Sequence, residues 1–588
     1  MNSTHCLRFL RPYAFKRLPV KNRAYLRLYN GALGHGFTSR AGRCLATAAK
    51  GKAVVEDGKA EKDASETRSH AVAARIDELT EAKALVYPRI QKSTAMPMRI
   101  PIFREKYRDV SKENPGEEEV VLHGRIQSVR RASSKLVFLD VTGEFEHVQA
   151  MCNFRKIEPT GVDIDAFKDI SRLLRRGDLI STTGKAIRTQ TGELSLDVTQ
   201  LPQLLSPSLV PLPFKLEEED AKIQNRHIDM LVNRETADVL RLRAYIMKYM
   251  RDWFHDQGFL EFQTPILCGN AGGAIARPFT TTSPYIGGEE LALRIAPELW
   301  LKRLVIGGVE KVFEMGPSFR NEGIDLSHNP EFTMCEYYNA YASLADLISQ
   351  TEELISGLAE HCHGLISTKL TSLPNSQLLN LTKTPFKQLE FIPSLESALG
   401  FTLPDLASPT AQADLISLLE SHHPDVASDI SSSRPTTLPK LLDKLASIHL
   451  EPHSLSGPLF ITHHPACMSP LSKSFMCPTT NQLVSARTEL FVAGFELANM
   501  YEEENDPFAQ RRKFVEQASR HGTDGEEVAV VDESYVQALE SGLPPTGGWG
   551  CGIDRLVMLF GGARRISDTL SFGNLRNVVG LSAGRKKT

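Results

Sequence analysis

Short runs rich in Val, Ile, Leu and Phe, separated by polar turns, fill residues 118 to about 205. Each run is bounded by Gly, Asn, Asp or a charged turn, and the runs are EVVLHGRIQSVRR, KLVFLDVTG, EHVQAMCN, DLISTTGKAIRT and ELSLDVTQLPQLL. Several short strands at this spacing are typical of a small β-barrel. The pattern therefore predicts a barrel domain over 118–206, followed by a linker at PLPFKL and a larger domain over 207–588.

Apolar residues at helical spacing open the larger domain, namely Val239, Leu242, Ile246, Met250 and Trp253. Asn233 is predicted to cap this helix, and Gly258 stands where the helix should end. FLEFQTPIL then reads as a strand interrupted at Pro265. A helical insertion is predicted over about 372–454. Before the barrel, residues 51–117 are predicted to form a solvated linker and a helical extension, with a helix over 71–87.

Two strands and a polar loop are predicted around FRNEGIDLSHNPEF, because KVFEMGPSFR precedes the loop and PEFTMCEYYNA follows it. Alternation places Phe332, Met334, Glu336 and Tyr338 on one face of the second strand. A fully apolar face would indicate core. An aromatic ring followed by a carboxylate and a phenol instead predicts a site that binds a flat group at one end and a cation at the other.

The stretch RTELFVAGFELANMYEEENDP carries a second set of polar residues. A two-residue turn at Ala493 and Gly494 would set Phe491 opposite Glu496 and put Glu489 on the same face. Paired carboxylates favour a shared cation, and oxygen ligands suit Mg²⁺ carried by phosphates. Two glutamates on a solvated face are the alternative. Asn499, Tyr501 and Glu503 form a further set, which can line the same cavity only if a bulge or a strong twist lies near Ala498.

A glycine-rich stretch, GGWGCGIDRLVMLFGG, leads into a helix that is predicted to begin near Ile553. Arg555 in its first turn offers a planar guanidinium for a phosphate or a ring, whereas Asp554 is expected to be structural. No acidic residue follows at the dinucleotide-binding spacing, which excludes a Rossmann interpretation.

Composition narrows the class of protein. The chain has 588 residues, enough for two to four domains, and 41% are hydrophobic. Its sequence has no apolar run of membrane-spanning length. Nine scattered cysteines without a C-x-x-C pair argue against a disulfide framework and a structural zinc site.

The first fifty residues contain ten Lys or Arg and no Asp or Glu. This is typical of an organelle-targeting segment, with a basic arm that binds nucleic acid as the alternative. Without these ten positive charges the formal net charge of −3 becomes −13, so RNA binding would need a local basic surface. The barrel supplies one, and Phe138 is a candidate stacking platform with a core position as its alternative.

The motifs together carry a resemblance. FRNEGIDLSHNPEF resembles motif 2 of the class II aminoacyl-tRNA synthetases, GCGIDR resembles motif 3, and the helix with FLEFQTPIL resembles motif 1. With GGAIARPF and LRIAPELWLKRLVIGG, the chain from about residue 118 to its end resembles the class IIb lysyl-tRNA synthetase family in its mitochondrial form. The resemblance implies an α+β multidomain fold, in which an N-terminal OB-fold β-barrel binds the anticodon and an antiparallel β-sheet flanked by helices forms the catalytic domain.

Substrates and site residues follow from the same resemblance. It implies a homodimer in the mitochondrial matrix that uses ATP, lysine, Mg²⁺ and tRNA(Lys), forms lysyl-adenylate and transfers lysine to the terminal ribose. The catalytic residues implied are Arg320 and Arg555; the ATP-binding residues are Arg320, Glu322, His328, Asn329, Phe332, Glu489 and Arg555; and the Mg²⁺ ligands are Glu489 and Glu496. The lysine-binding residues implied are Gly272, Glu298, Glu336, Tyr338, Asn499, Tyr501 and Glu503, and the anticodon-binding residues are Arg125, Phe138 and Gln149.

Charge favours lysine as the substrate, because an ammonium enters a pocket only if carboxylates such as Glu336 and Glu503 replace its water. No basic residue lies between Phe495 and Pro507, which excludes aspartate more strongly than arginine or ornithine. A class IIb synthetase of different specificity and a non-catalytic tRNA-binding paralogue stay as alternatives. Ser327 stands where bacterial relatives commonly have Arg, and it is the substitution that favours the paralogue.

Overall fold

The computed structural model describes residues 70–90, 95–269, 272, 276–374, 378–433, 437–521 and 531–582. The predicted targeting segment over 1–50 lies outside the described residues. Helix α1 spans 70–81 and is shorter than predicted, because Lys83 adopts a left-handed backbone with φ 52°. The N–H groups of Ala84 and Leu85 both return to the carbonyl of Leu79, which ends the helix before Pro88.

The predicted β-barrel is present. Its elements are β1 Met96–Met98, α2 Ile100–Lys106, β2 Glu119–Ser133, β3 Leu136–Gly143, β4 Glu146–Asn153, α3 Phe154–Ile157, α4 Ile164–Leu173, β5 Leu179–Arg188, β6 Leu194–Val198 and β7 Gln203–Ser206. The strands follow the order β2-β3-β4-β6-β5, and β5 pairs back with β2 to close five strands into a barrel. Alternate residues of these strands, among them Ile126, Leu139 and Leu196, fill the interior.

The larger domain starts with α5 Glu219–Gln224, α6 Arg226–Val232, α7 Arg234–Asp256, β8 Leu260–Glu261, β9 Leu267–Cys268, β10 Thr280–Thr282, β11 Glu290–Leu293, α8 Glu298–Ile306, β12 Lys311–Phe319, β13 Glu331–Ala340 and α9 Leu344–Thr368. It continues with β14 Lys387–Glu390, α10 Phe391–Leu399, α11 Ala411–His422, α12 Pro424–Ser433, α13 Leu438–His449, β15 Leu459–Thr462, β16 Ser474–Met476, β17 Leu483–Ser485, β18 Arg487–Val492 and β19 Phe495–Glu502. The remaining elements are α14 Pro507–His521, α15 Glu533–Leu539, β20 Thr546–Gly552, α16 Ile553–Gly561, α17 Ile566–Thr569 and α18 Leu575–Ser582.

One eight-stranded sheet organises this domain, in the order β14-β15-β18-β19-β20-β13-β12-β8. Its pairs are antiparallel except β14 with β15 and β12 with β8. The hydrophobic core lies between one face of this sheet and helices α7, α9 and α16, which leaves the opposite face for a site. The chain is thus an α+β protein, as the resemblance implies. None of the described helices has both the length and the apolarity needed to cross a membrane.

Helix α7 begins and ends where the sequence predicts, but Asn233 does not cap it with its side chain. The Asn233 amide instead donates to the carbonyl of Leu216 at 2.8 Å and to Asp229 at 2.7 Å. The side chain is drawn away from the helix because it fastens the linker between the two domains. Gly258, just past the end of α7, has the left-handed φ of 83° that favours glycine.

Four helices, α10 to α13, lie within the stretch for which a helical insertion is predicted. They share an apolar core of their own, which includes Leu395, Leu415 and Leu441. Leu459 and Phe491 of the central sheet complete this core, so the helices are anchored to β15 and β18. This position places the insertion next to the strand that carries Glu489.

Candidate active site

The predicted hairpin is confirmed. Strands β12 and β13 pair antiparallel, with Ser318 opposite Phe332 and Glu314 opposite Glu336, and residues 320–330 form the loop between them. On its other side β13 pairs with β20, which sets Glu336 opposite Gly550 and Tyr338 opposite Gly548. The predicted site residues of β13 therefore have glycines as their neighbours on β20.

Glycine alternates with larger residues in GGWGCG, and this period of two indicates that the glycines share one face of a strand. Their place in the site was not predicted from the sequence. Trp549 and Cys551 point into the core, whereas Gly548 and Gly550 face the site. A Cβ at Gly548 would collide with Glu503 Oε1 and come within 2.7 Å of Tyr338 Cε1. Glycine at this position is therefore required by the close approach of the pocket side chains.

A cavity of about 1130 Å³ opens on this face of the sheet. Its walls bring together residues from Gly269 to Ile566, which are 297 positions apart in the chain. The predicted site residues that line it are Gly272, Glu298, Arg320, Glu322, His328, Asn329, Phe332, Glu336, Tyr338, Glu496, Asn499, Tyr501 and Arg555. Glu489 and Glu503 do not line the cavity and lie behind its wall. The volume exceeds that of a typical small-molecule pocket, so it has room for a nucleotide and a second small ligand.

One end of the cavity is cationic and aromatic. The Arg320 guanidinium lies 5.1 Å from the centroid of the Phe332 ring, and its Nε is buried without a hydrogen-bond partner among the described residues. Arg555 Nη1 donates to the carbonyl of Glu496 at 2.8 Å, and its Nη2 lies 3.4 Å from His328 Nε2. Two guanidiniums beside a ring form a site for a phosphorylated aromatic ligand.

The loop between β12 and β13 is built around Asp325. Backbone N–H groups of Ser327 and His328 donate to Asp325 Oδ1 at 2.7 and 2.8 Å, and His328 Nδ1 lies 2.8 Å from Asp325 Oδ2. Ser327 thus supports the turn that presents His328 to the cavity, and its side chain carries no positive charge to a ligand.

The predicted turn and bulge are both confirmed. Ala493 and Gly494 have φ angles of 52° and 82°, and Phe491 pairs with Glu496 while Leu490 pairs with Ala498. Leu497 is therefore the extra residue of a β-bulge. The bulge turns Glu496 toward the same cavity as Asn499 and Tyr501, as the sequence required.

Glu489 and Glu496 differ in their surroundings. The Glu489 side chain is 13% exposed, so the solvated-face alternative is wrong for it, whereas the Glu496 side chain is 37% exposed and lines the open cavity. Glu489 forms an ion pair with Arg487 and accepts from His464 Nε2 at 3.1 Å. Burial opposes ionisation, but Arg487 and His464 lower the pKa of Glu489 to about 2. Burial and the charge of Glu489 raise the pKa of Glu496, against the effect of Arg555. The sequence did not indicate the roles of Arg487 and His464.

Glu496 faces the cavity and fits a magnesium ion that arrives with phosphates. Glu489 is paired with Arg487 and His464 behind the cavity wall, so it would have to release these partners to bind the ion. Mg²⁺ is usually bound through one or two carboxylates together with phosphate and water oxygens. Among the described residues no group of three potential ligands is close enough to hold a metal without a substrate. Burial is the largest cause of the raised pKa of Glu496 and the charge of Glu489 is the second, and a bound cation would favour the ionised carboxylate against both.

The opposite end of the cavity is acidic. The Tyr338 hydroxyl donates to Glu336 Oε2 at 3.2 Å, and the Tyr501 hydroxyl donates to Glu298 Oε1 at 2.9 Å. Glu336 and Glu298 are each 4% exposed. Burial, and then the charge of Glu298, raises the pKa of Glu336 to about 8. Buried carboxylates beside an open cavity form a site for a cationic ligand.

A lysine of the chain itself lies behind this acidic end. Lys302 Nζ is 2.6 Å from Glu298 Oε1 and forms an ion pair with Glu503. No basic residue lies over 495–507, but the pocket does contain one, because α8 supplies Lys302. Glu298 is the first residue of α8 and Lys302 lies one turn later, so the i,i+4 spacing in ELWLK was the available signal.

Asp554 is structural, as predicted. Its Oδ2 accepts from the backbone N–H of Thr333 at 2.7 Å, and its Oδ1 is paired with Arg243 of α7. The residue thus joins α16, β13 and α7 at the wall of the cavity.

The three barrel residues lie on the outer face of β2, β3 and β4. Phe138 is half-buried, and the Arg130 guanidinium lies over its ring, 5.4 Å from the ring centroid. The alternative of a core position is therefore wrong. Gln149 donates to Glu193 at 3.1 Å, and Arg125 donates to the carbonyl of Gly177 at 2.6 Å. Phe138 therefore offers a ring, whereas the other two side chains are engaged within the barrel.

Comparison with known proteins is consistent with this architecture. Residues 218–576 match the family described as tRNA synthetases class II (D, K and N), and residues 120–204 match the OB-fold nucleic acid binding domain. The mitochondrial lysine–tRNA ligase of Schizosaccharomyces pombe is 41% identical over 498 residues, which cover 84% of this chain and 91% of that protein. The probable cytoplasmic lysine–tRNA ligase of Encephalitozoon cuniculi is 37% identical, covering 81% and 91%, and the mitochondrial lysine–tRNA ligase of Saccharomyces cerevisiae is 36% identical, covering 78% and 82%. The chain is an aminoacyl-tRNA synthetase and belongs to the lysine–tRNA ligase family of the class II tRNA synthetases.

Proposed function

We propose that the protein activates lysine with ATP to form lysyl-adenylate and transfers the lysyl group to the 3′-terminal ribose of tRNA(Lys) for mitochondrial translation. The observation that carries the proposal is the polarity of one cavity. Arg320 and Arg555 stand beside Phe332 at one end, and buried Glu298 and Glu336 stand at the other. The family supports the reaction class.

ATP would lie at the cationic end with its adenine on Phe332. Arg320 would bind the α-phosphate together with the lysine carboxylate, which brings the attacking oxygen and the phosphorus into line. Arg555 would neutralise the outer phosphates from the other side, with Glu322, His328 and Asn329 completing the nucleotide site. Glu489 and Glu496 would hold Mg²⁺, which would neutralise the charge on the pyrophosphate leaving group. No side chain forms a covalent bond to the substrate.

Lysine would extend from Arg320 into the acidic end. Glu298, with Gly272, would face its α-ammonium, and Glu336 would receive its side-chain ammonium. Tyr338, Asn499 and Tyr501 would surround the methylene stem, and Glu503 would complete the pocket from behind, paired with Lys302. An aspartate side chain would meet buried carboxylates here and be repelled.

The barrel would bind the anticodon of tRNA(Lys). Phe138 would stack on a base, with Arg125 and Gln149 beside it, because single-stranded RNA is recognised through stacking and basic charge. We further propose a homodimer formed through motif 1.

A mitochondrial location is supported by the basic first fifty residues and by the names of the two yeast relatives. Import would deliver the enzyme to the matrix. A fluorescent fusion of the whole chain should therefore co-localise with a matrix marker, and a fusion that lacks residues 1–50 should not. Equal distribution of both fusions would contradict this part of the proposal.

A charging assay tests the reaction. The purified chain, ATP, Mg²⁺ and total tRNA are incubated with each of the twenty amino acids, one at a time and radiolabelled. We expect only lysine to become attached, and periodate-oxidised tRNA, which lacks the intact terminal ribose, to accept none. Charging of another amino acid would favour a synthetase of different specificity, and charging of none would favour a tRNA-binding paralogue.

A further inference from the structure

Lys302 is a completely buried cation at the rear of the amino acid pocket. It lies on α8 with 0% of its side chain exposed. Its Nζ is 2.6 Å from Glu298 Oε1 and forms an ion pair with Glu503 Oε2. Glu298 lines the cavity, whereas Glu503 does not. One ammonium therefore joins a carboxylate of the cavity wall to a carboxylate behind it.

A single layer of rings separates Lys302 from the cavity. Tyr338 and Tyr501 line the cavity, and each ring centroid lies 5.8 Å from Lys302 Nζ. Tyr535 of α15 closes the other side at 5.9 Å. Burial would lower the pKa of Lys302, but Glu298 and Glu503 raise it well above its ordinary value, so the side chain carries its charge.

The charges of the pocket balance those of lysine only if Lys302 is counted. Glu298, Glu336 and Glu503 contribute three negative charges when ionised, and Lys302 reduces the sum to two. The substrate carries two ammonium groups, and its carboxylate is matched by Arg320. A buried charge without a partner is costly, so a pocket with three uncompensated carboxylates would suit a ligand with one more cation than lysine has.

We propose that Lys302 is a positioning residue that sets the charge of the substrate pocket: it holds Glu298 toward the α-ammonium and neutralises Glu503, so that the pocket accepts an amino acid with two cationic groups. This inference rests on the proposed function, since it concerns the same pocket.

The test compares Lys302→Met with a matched control. Methionine is close in shape to lysine and lacks its charge. Lys513→Met is the control, because Lys513 pairs with Glu504 at 2.7 Å, next to Glu503 in sequence but outside the cavity lining. Both variants are purified as full chains, and lysine-dependent exchange of pyrophosphate into ATP gives KM for lysine, KM for ATP and kcat.

We expect Lys302→Met to raise KM for lysine by about tenfold or more, as the loss of a charged hydrogen bond implies. KM for ATP should change by no more than about twofold, and Lys513→Met should leave KM for lysine within about twofold of the unchanged protein. Equal effects of the two lysines, or a rise in KM for ATP that matches the rise for lysine, would overturn the proposal.

The pH profile separates positioning from simple support of the fold. The titratable groups around Lys302 are Glu298 on its own helix, Glu336 and Tyr338 on β13, Tyr501 on β19, Glu503 after it and Tyr535 on α15. Burial raises the pKa of the three tyrosines, so these rings stay neutral. Lys302 lowers the pKa of both Glu336 and Glu503 against burial. In Lys302→Met the midpoint of the KM profile for lysine should therefore move to higher pH, and in Lys513→Met it should not move.

A double variant keeps the proposal testable if Lys302→Met does not fold. Lys302→Met with Glu503→Gln removes both charges of the buried pair, which is tolerated better than breaking the pair. Its midpoint should return to that of the unchanged protein, because the pocket again carries two negative charges. A midpoint that stays displaced would overturn the inference. Absence of lysine-dependent exchange in the unchanged protein would instead overturn the proposed function.

Discussion

Binding of lysine should depend steeply on pH, because Glu336 must lose a proton to receive an ammonium. Burial and the neighbouring charge of Glu298 raise the pKa of Glu336 to about 8. A raised pKa means that the carboxyl is protonated below that pH and ionised above it. With this pKa, the ionised fraction rises from about 3% at pH 6.5 to about half at pH 8.

If only the ionised form binds lysine, KM for lysine should fall by about fifteenfold over this interval. KM for ATP should not follow, because the nucleotide end of the cavity is separate. The assay is lysine-dependent pyrophosphate exchange at constant ionic strength between these two pH values, where the substrate keeps both ammonium groups.

Glu336→Gln is the control for this prediction. Glutamine has nearly the same shape and does not titrate, so the variant should bind lysine weakly at every pH and show a flat profile. A constant KM for lysine in the unchanged protein would refute the reasoning, because Glu336 would then be ionised before the substrate arrives or would not face it.

Three further outcomes test other parts of the site. Arg320→Ala should abolish adenylate formation while leaving the thermal unfolding temperature unchanged, since its Nε has no partner among the described residues; exchange at the normal rate would remove Arg320 from the site. Gly548→Ala should weaken lysine binding or folding by about 1–3 kcal/mol, because its Cβ collides with Glu503; calorimetry on the folded variant separates the two, and an unaffected protein would contradict the close packing. Phe138→Ala should weaken tRNA binding in a filter assay by about 1–3 kcal/mol without changing lysine-dependent exchange, as the loss of one stacked base implies; unchanged tRNA affinity would argue against the platform.

Local patterns predicted the two hairpins of the site well. Alternation in PEFTMCEYYNA placed Phe332 and Glu336 on one face, and the turn at Ala493 and Gly494 fixed the register of β18 and β19. A bulge or strong twist near Ala498 was expected only if the two sets of polar residues share one cavity, and the bulge at Leu497 meets that condition. Both predictions depend on the period of two, which is a property of the extended chain itself.

Contacts between distant segments were not predictable in the same way. Lys302 meets Glu503 across about two hundred residues, and nothing in either local pattern indicates that they form an ion pair. Asn233 has the residue type of a helix cap, but tertiary contacts with Leu216 and Asp229 take its side chain. The hydrogen bond between His464 and Glu489 likewise requires β15 and β18 to be neighbours, and this pairing is a property of the folded sheet.

The most direct test of the central claim is exchange of labelled pyrophosphate into ATP by the whole chain, with each of the twenty amino acids offered separately and no tRNA present. One cavity that binds ATP at its arginine end and a cationic amino acid at its carboxylate end predicts exchange with lysine and Mg²⁺, and background values with the other nineteen. Exchange with aspartate or asparagine, or none with any amino acid by a folded protein that binds ATP, would contradict it.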